Sequence, residues 1–201
     1  MRRFPFVTVD VFTSRALAGN GLAVFTDATG LSDAEMQALT REMNLSESAF
    51  VFARDAAIER ERGVKVRIFT IAYEVPFAGH PTLGAAFVLA GMRKSREIVL
   101  DLKVGRIPVN FTERDGAMFG EMTQRDPEFG FVHDAGEVAA VIGLPRNAID
   151  PSLPIQTVST GMAFAIVPTV SLAVIRKLHI DQTRRCLSRA RHDSSILECF
   201  T

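Results

Sequence analysis

Two short stretches carry side chains able to do chemistry. In "REMNLSESAFVF" (positions 41–52), Glu47 stands where an apolar strand pattern begins. A carboxyl so placed is partly withdrawn from water, which raises its pKa toward the range useful to a general acid or base. In "EVPFAGHPTLGAAFVLAG" (74–91), a Gly79-His80-Pro81-Thr82 turn enters an apolar segment. Pro81 suits the first position of a helix and Thr82 its first turn. A helix N-terminus offers unpaired N–H groups and a partial positive charge, so this turn can hold a carboxylate. Gly79 lets a ligand approach the backbone, and His80 can donate or accept one more hydrogen bond. Each residue also has a plainer reading. His80 then only starts the helix, Gly79 only turns the chain, and Glu47 is a solvated strand end. Glu42 and Glu74 compete with Glu47 for the acid/base role: Glu42 falls on a solvated helix face, and Glu74 suits a structural part.

Other chemistries find no support. Cys186 and Cys199 form neither a disulfide framework nor a zinc motif. His80, His133, His179 and His192 are scattered, and no metal site is expected. Nucleotide-binding glycine motifs and a G-x-S-x-G nucleophile elbow are missing, so neither nucleotide binding nor an elbow serine has support. The 23 basic and 23 acidic residues balance, which gives no electrostatic case for nucleic acid or an anionic membrane as partner. The N-terminus alternates like a strand instead of forming a signal peptide, and a cytoplasmic, soluble protein is expected. With 201 residues and 47% hydrophobic content, the chain can build one large domain or two small ones.

The elements that must position these side chains follow from periodicity. "FPFVTVDVFT" alternates as a half-buried strand, and "AGNG" turns into a second strand, "LAVF". Ser32 with Glu35 forms a capping box that opens a helix running to about Met43. "SESAFVFA" and "VKVRIFT" read as strands, with the charged "RDAAIERERG" between them as a hairpin loop. The helix near 81–91 is apolar on every face and must be buried all round. Its small residues Gly84, Ala85, Ala86 and Ala90 let strands approach closely. "EIVLDLKV", "RIPVNFT" and "GAMFGEMT" add three more strands, so the pattern predicts a curled sheet around one central helix over residues 1–122. A second, partial domain is expected over 123–201. It holds an amphipathic helix in "DAGEVAAVIGL", a strand-turn-strand in "PIQTVSTGMAFAIVP" and a helix opened by Ser171. This order repeats that of the first 43 residues. The Arg- and Ser-rich tail after Ile180 reads either as an exposed helix with a frayed end or as a stop within a domain.

The blocks "DVFTSRALAGNGLAVF", "LSDAEMQALTREMNLSESAFVF" and "VRIFTIAYEVPFAGHPTLGAAFVL" together resemble the phenazine-biosynthesis PhzF-like family. The likeness continues more weakly to about residue 180. It implies an α+β, diaminopimelate-epimerase-like fold. In that fold two pseudo-symmetric domains each wrap a sheet around a central helix, with the active site in the cleft between them. It also implies an isomerase that needs no cofactor and moves a proton on trans-2,3-dihydro-3-hydroxyanthranilate or a similar small carboxylate. Glu47 matches the catalytic Glu, and Gly79 and His80 match a substrate-binding turn. Asn20, in the "AGNG" turn, and Gly161, in the "STGM" turn, complete the candidate substrate-binding set. A homodimer is expected.

Two departures from the family pattern bear on function. The family usually has a Pro soon after the Thr of "IFT", whereas here Ile71-Ala72-Tyr73 follows and leaves substrate choice open. Family members also carry a later Asp-Pro-Ala-Thr-Gly-Ser-Ala-like segment and a final strand that this sequence does not show. A truncated or frame-shifted homologue with little or no activity is therefore expected. The alternative function is a non-catalytic homologue of the same fold that binds a small carboxylate or a partner chain. A structural or interaction module is a third.

Overall fold

The computed structural model describes residues 2–179 and 196–200, the last five as backbone pairing only. The chain divides into two compact units, Met1–Gln124 and Arg125–Thr201. The first is a mixed sheet of eight strands: β1 (Phe6–Val11), β2 (Asn20–Phe25), β3 (Glu47–Phe52), β4 (Val64–Thr70), β5 (Glu74–Val75), β6 (Glu97–Leu102), β7 (Gly105–Arg114) and β8 (Ala117–Met122). Seven of them pair in the order β1-β2-β3-β4-β6-β7-β8, and β5 pairs with β4. The outer side of β4 is shared: β6 takes Val64 and Lys65, and β5 takes Ile68 and Phe69.

Helix α3 (Gly79–Arg93) touches β1, β2, β3, β6 and β8. Laid flat, β1 and β8 would stand about 29 Å apart at ordinary strand spacing. A helix only about 10–12 Å wide can reach both only if the sheet curls around it. The fold is thus α+β, with a curled sheet on a central helix, as its all-round apolar sequence predicts. The glycine at 84 makes the seat possible. A Cβ built there would lie 2.6 Å from Leu22 Cδ2 and 2.9 Å from Val11 Cγ2. Ala85 and Ala86 are fully buried beside it.

The sheet's other face carries α1 (Asp33–Met43). Ser32 and Glu35 close the expected capping box at its start, and Asn44 ends it in the left-handed region. Met36 packs on Phe25, Phe50 and Phe69, with Phe25 and Phe50 stacked at 4.6 Å and Phe69 edge-on to Phe50 at 5.5 Å. Burying each of these side chains is worth about 1.5–3 kcal/mol.

The second unit has a four-stranded sheet in the order β12-β11-β10-β9, from β9 (Glu128–Val132), β10 (Gln156–Ser159), β11 (Ala163–Pro168) and β12 (Ile196–Phe200). Helix α4 (Ala135–Val141), capped by Asp134, packs Val138 and Ile142 against Ile149, Ile155 and Val167. The antiparallel pair β10–β11 precedes a parallel partner, β12, just as β1–β2 precedes β3. The repeated element order read from sequence is therefore present in the strand pairing.

Several expectations need correction. "AAIERER" is not a loop but a short helix, α2 (Ala56–Arg62), capped by Asp55 and ended by Gly63. The charge pattern hid it because no residue of α2 is buried. Helix α3 begins at Gly79, two residues earlier than expected, so Pro81 is its third residue. Proline is tolerated there because the first-turn N–H groups have no partner within the helix. "EFGFV" is a further strand, β9, that the sequence pattern did not indicate. The helix after Ser171 is a single turn, α5 (Leu172–Ile175). Of the tail, residues 180–195 lie outside the described residues, and Ile196–Phe200 is strand, not helix.

Replacing Gly84 with Val forces branched atoms into Leu22 and Val11. An overpacking cost of about 1–3 kcal/mol is expected, read as a lowered urea midpoint at unchanged m-value.

Candidate active site

Parallel pairing of β2 and β3 sets Leu22 beside Glu47, and antiparallel pairing of β3 and β4 sets Glu47 beside Thr70. Side chains alternate across a sheet, so Asn20, Leu22, Glu47 and Thr70 share the face that receives α3. Leu22 confirms this face by touching Gly84 of the helix. The N-terminus of α3 then brings His80 to the Asn20 end of that row.

The resulting contacts are specific. Asn20 Nδ2 lies 3.2 Å from His80 Nδ1, and Glu47 Oε2 lies 3.6 Å from His80 Nε2. Ser46 Oγ stands 3.5 Å from Asn20 Oδ1. An Asn20 amide donating to Nδ1 would put the imidazole proton on Nε2, facing Glu47. His80 is 8% exposed. Glu47 Oε2 and His80 Nε2 are both buried without a hydrogen-bond partner. Buried polar atoms are nearly always bonded, so two facing orphans mark a place built for a third polar group. Burial pushes the imidazole below its ordinary value of 6.5, and neither the Glu47 carboxylate nor a backbone hydrogen bond at Gly21 offsets it. His80 is therefore a neutral hydrogen-bonding group at neutral pH.

The helix contributes as well. The amides of Gly79 and His80 have no acceptor within α3, Pro81 has no N–H, and the Thr82 amide returns to the Ala78 carbonyl at 3.2 Å. Two amides with no acceptor among the described residues, and the positive end of a 15-residue helix, thus lie at the helix entrance that carries His80. The arrangement suits an anionic ligand bound near a carboxyl able to take up and return a proton.

Asn20, Glu47, Gly79 and His80 gather in the first unit. Gly161 belongs to the second unit, in the turn from β10 to β11 at φ 138°, where its amide donates to Ser159 Oγ at 3.2 Å. The competing carboxylates separate as the sequence indicated. Glu42 is exposed. Glu74 is a structural anchor: Arg67 grips both of its oxygens at 2.8 and 2.7 Å, and Lys103 adds a contact at 2.7 Å. Burial alone would raise the Glu74 carboxyl, but these hydrogen bonds hold it below its usual range. Sequence reasoning did not name Thr70, which depends on strand register that no local pattern encodes. Among the described residues no group of three His, Cys, Asp or Glu side chains could hold a metal ion, and no helix is long and apolar enough to cross a membrane.

Residues 9–197 match the family model of the phenazine biosynthesis-like proteins, PhzC-PhzF, and the chain belongs to that family. It is 34% identical to a trans-2,3-dihydro-3-hydroxyanthranilate isomerase of Pseudomonas aeruginosa, a match covering 90% of this chain and 63% of the relative. An uncharacterized isomerase of Mesorhizobium japonicum is 35% identical, over 90% of this chain and 61% of the relative. The chain thus spans about three-fifths of the length of these curated relatives. Among solved structures, a predicted epimerase of Pseudomonas aeruginosa superposes with a TM-score of 0.87 at 32% identity, covering 98% of this chain and 70% of that one. A PhzF-family protein of Bacillus anthracis superposes with a TM-score of 0.76 at 30% identity, over 90% and 60%.

The lowered His80 pKa fixes a pH dependence. Below about pH 6.5 the unfolded chain binds a proton at this position that the folded chain resists. Stability from this residue is complete above that pH and is lost as pH falls through the folded-state value. Urea midpoints should therefore decline between pH 7.5 and 5.5, and His80→Gln should flatten that decline.

Proposed function

We propose that the protein is a PhzF-like isomerase that moves a proton on a small, carboxylate-bearing substrate by general acid/base catalysis. The single observation that carries this reading is the pair of buried, unpartnered atoms, Glu47 Oε2 and His80 Nε2, facing each other at 3.6 Å. Glu47 takes a proton from a substrate carbon and returns it to another, so one carboxyl serves as base and then as acid. His80, held by Asn20 through Nδ1, donates from Nε2 to a substrate oxygen and keeps the Glu47 carboxyl from drifting. The Gly79 and His80 amides receive the substrate carboxylate. The Glu47 side chain keeps 20% exposure, so the proton it carries exchanges with solvent water between substrates.

The substrate named for the Pseudomonas aeruginosa relative, trans-2,3-dihydro-3-hydroxyanthranilate, is the first compound to try, and Gly161 is proposed as a further substrate contact. The protein is proposed to work in the cytoplasm, as a homodimer, without metal or organic cofactor.

The test is incorporation of solvent deuterium into that substrate, followed by mass spectrometry. Incorporation by the 201-residue chain, however slow, should fall by about 10²–10⁴-fold in Glu47→Gln, the usual worth of a positioned acid/base group. Exchange that survives Glu47→Gln would contradict the assignment of Glu47. Substrate binding by calorimetry with no exchange at all would replace the isomerase reading with that of a carboxylate-binding protein.

A further inference from the structure

We propose that Tyr73 determines substrate specificity by laying its ring against a planar ring on the carboxylate held at Glu47 and His80, an inference that rests on the function proposed above. Strand register is the first observation. The Thr70 amide donates to the Tyr73 carbonyl at 2.9 Å, and Phe69 and Ile68 pair with Glu74 and Val75. Tyr73 is therefore the residue opposite Thr70, as Thr70 is opposite Glu47. Directly paired residues project to one face. Glu74 sends its carboxylate to Arg67, which also holds Asp33 of α1 on the far side of the sheet, and Val75 is buried opposite Ile68. Alternation then puts Tyr73 on the Glu47 side, two strand spacings from it, or about 10 Å.

The turn that carries Tyr73 is built to stay in place. Gln37 Nε2 donates to the Thr70 carbonyl at 2.8 Å, and Arg41 Nε donates to the Ile71 carbonyl at 3.0 Å, so α1 clamps it from behind. Thr70 Oγ1 donates to the Tyr73 carbonyl and receives the amides of Ala72 and Tyr73. The grip of Arg67 and Lys103 on Glu74 fixes the next residue. A turn secured this firmly nevertheless leaves Tyr73 50% exposed and Ile71 55% exposed. No hydrogen bond reaches the Tyr73 hydroxyl among the described residues. A rigid aromatic with a free face and few torsions to freeze is suited to stacking on a flat ligand.

Tyr73 is the only tyrosine, and the chain has no tryptophan, so biosynthetic 3-fluorotyrosine gives one ¹⁹F resonance that reports this ring alone. The labelled chain is titrated with 2-aminobenzoate, a planar ring acid, and with crotonate, an acyclic one, with calorimetry in parallel. The resonance should shift saturably with 2-aminobenzoate at the calorimetric Kd. Tyr73→Ala should weaken 2-aminobenzoate by about fivefold, the usual worth of an aromatic pair, and leave crotonate unchanged. Tyr73→Phe should restore the affinity, which separates a lost ring from a damaged fold. If 2-aminobenzoate binds and His80→Gln abolishes that binding, while the resonance stays fixed and Tyr73→Ala binds as wild type, the role of Tyr73 is overturned and the carboxylate site stands. If neither acid binds, both the site reading and the Tyr73 inference fall.

Discussion

The close contact between α3 and the β1–β2 pair at Gly84 decides where every reactive group stands. A side chain at that position would press on Leu22 Cδ2 and Val11 Cγ2, at the seat of the helix that carries His80 to Asn20. With the helix seated, its N-terminus meets the β2 and β3 ends, and the strand pairing delivers Asn20 and Glu47 in one row. Small residues along α3 thus do more than fill space. They set the depth at which an imidazole and a carboxyl become buried while facing each other.

The surroundings divide the carboxylates by environment. Glu74 is bound by two cations and serves as a fixed point of the β4–β5 turn. Among the described residues Glu47 is approached by one ionisable group, the imidazole of His80 at 3.6 Å, and no hydrogen bond reaches its Oε2. The first environment commits a carboxylate to structure, and the second leaves one free to exchange a proton. The same β4 strand links them, since Arg67 lies on its outer face and Thr70 on its inner face. The segment that anchors the turn therefore also shapes the floor beside Glu47.

Much of this was legible in the sequence. The all-round apolar pattern of α3 demanded a wrapped sheet, and the capping box at Ser32 placed α1 to the residue. Glu47 at a strand start and His80 at a helix entrance each had a plainer reading, and the resemblance of their sequence blocks to the family singled them out. What could not be read was what depends on distant pairing. Register made Thr70 a neighbour of Glu47, and tertiary contacts, not propensity, gave β9 its partner. The solvated helix α2 has no buried face to leave a periodic trace. The tail strand Ile196–Phe200 lacked alternation, and its sequence read as a frayed helix or a stop within a domain; its parallel pairing with β11, like that of β3 with β2, is set by tertiary contacts.

The account depends most directly on the protonation state of His80. Nitrogen-15 NMR of the imidazole at pH 7 measures it without reference to any substrate. A neutral ring with its proton on Nε2 is the predicted result, with Nδ1 shifted by the Asn20 hydrogen bond. An imidazolium would mean that His80 and Glu47 form a closed ion pair. That result would make the contact a structural one and would contradict a carboxyl kept free for proton transfer.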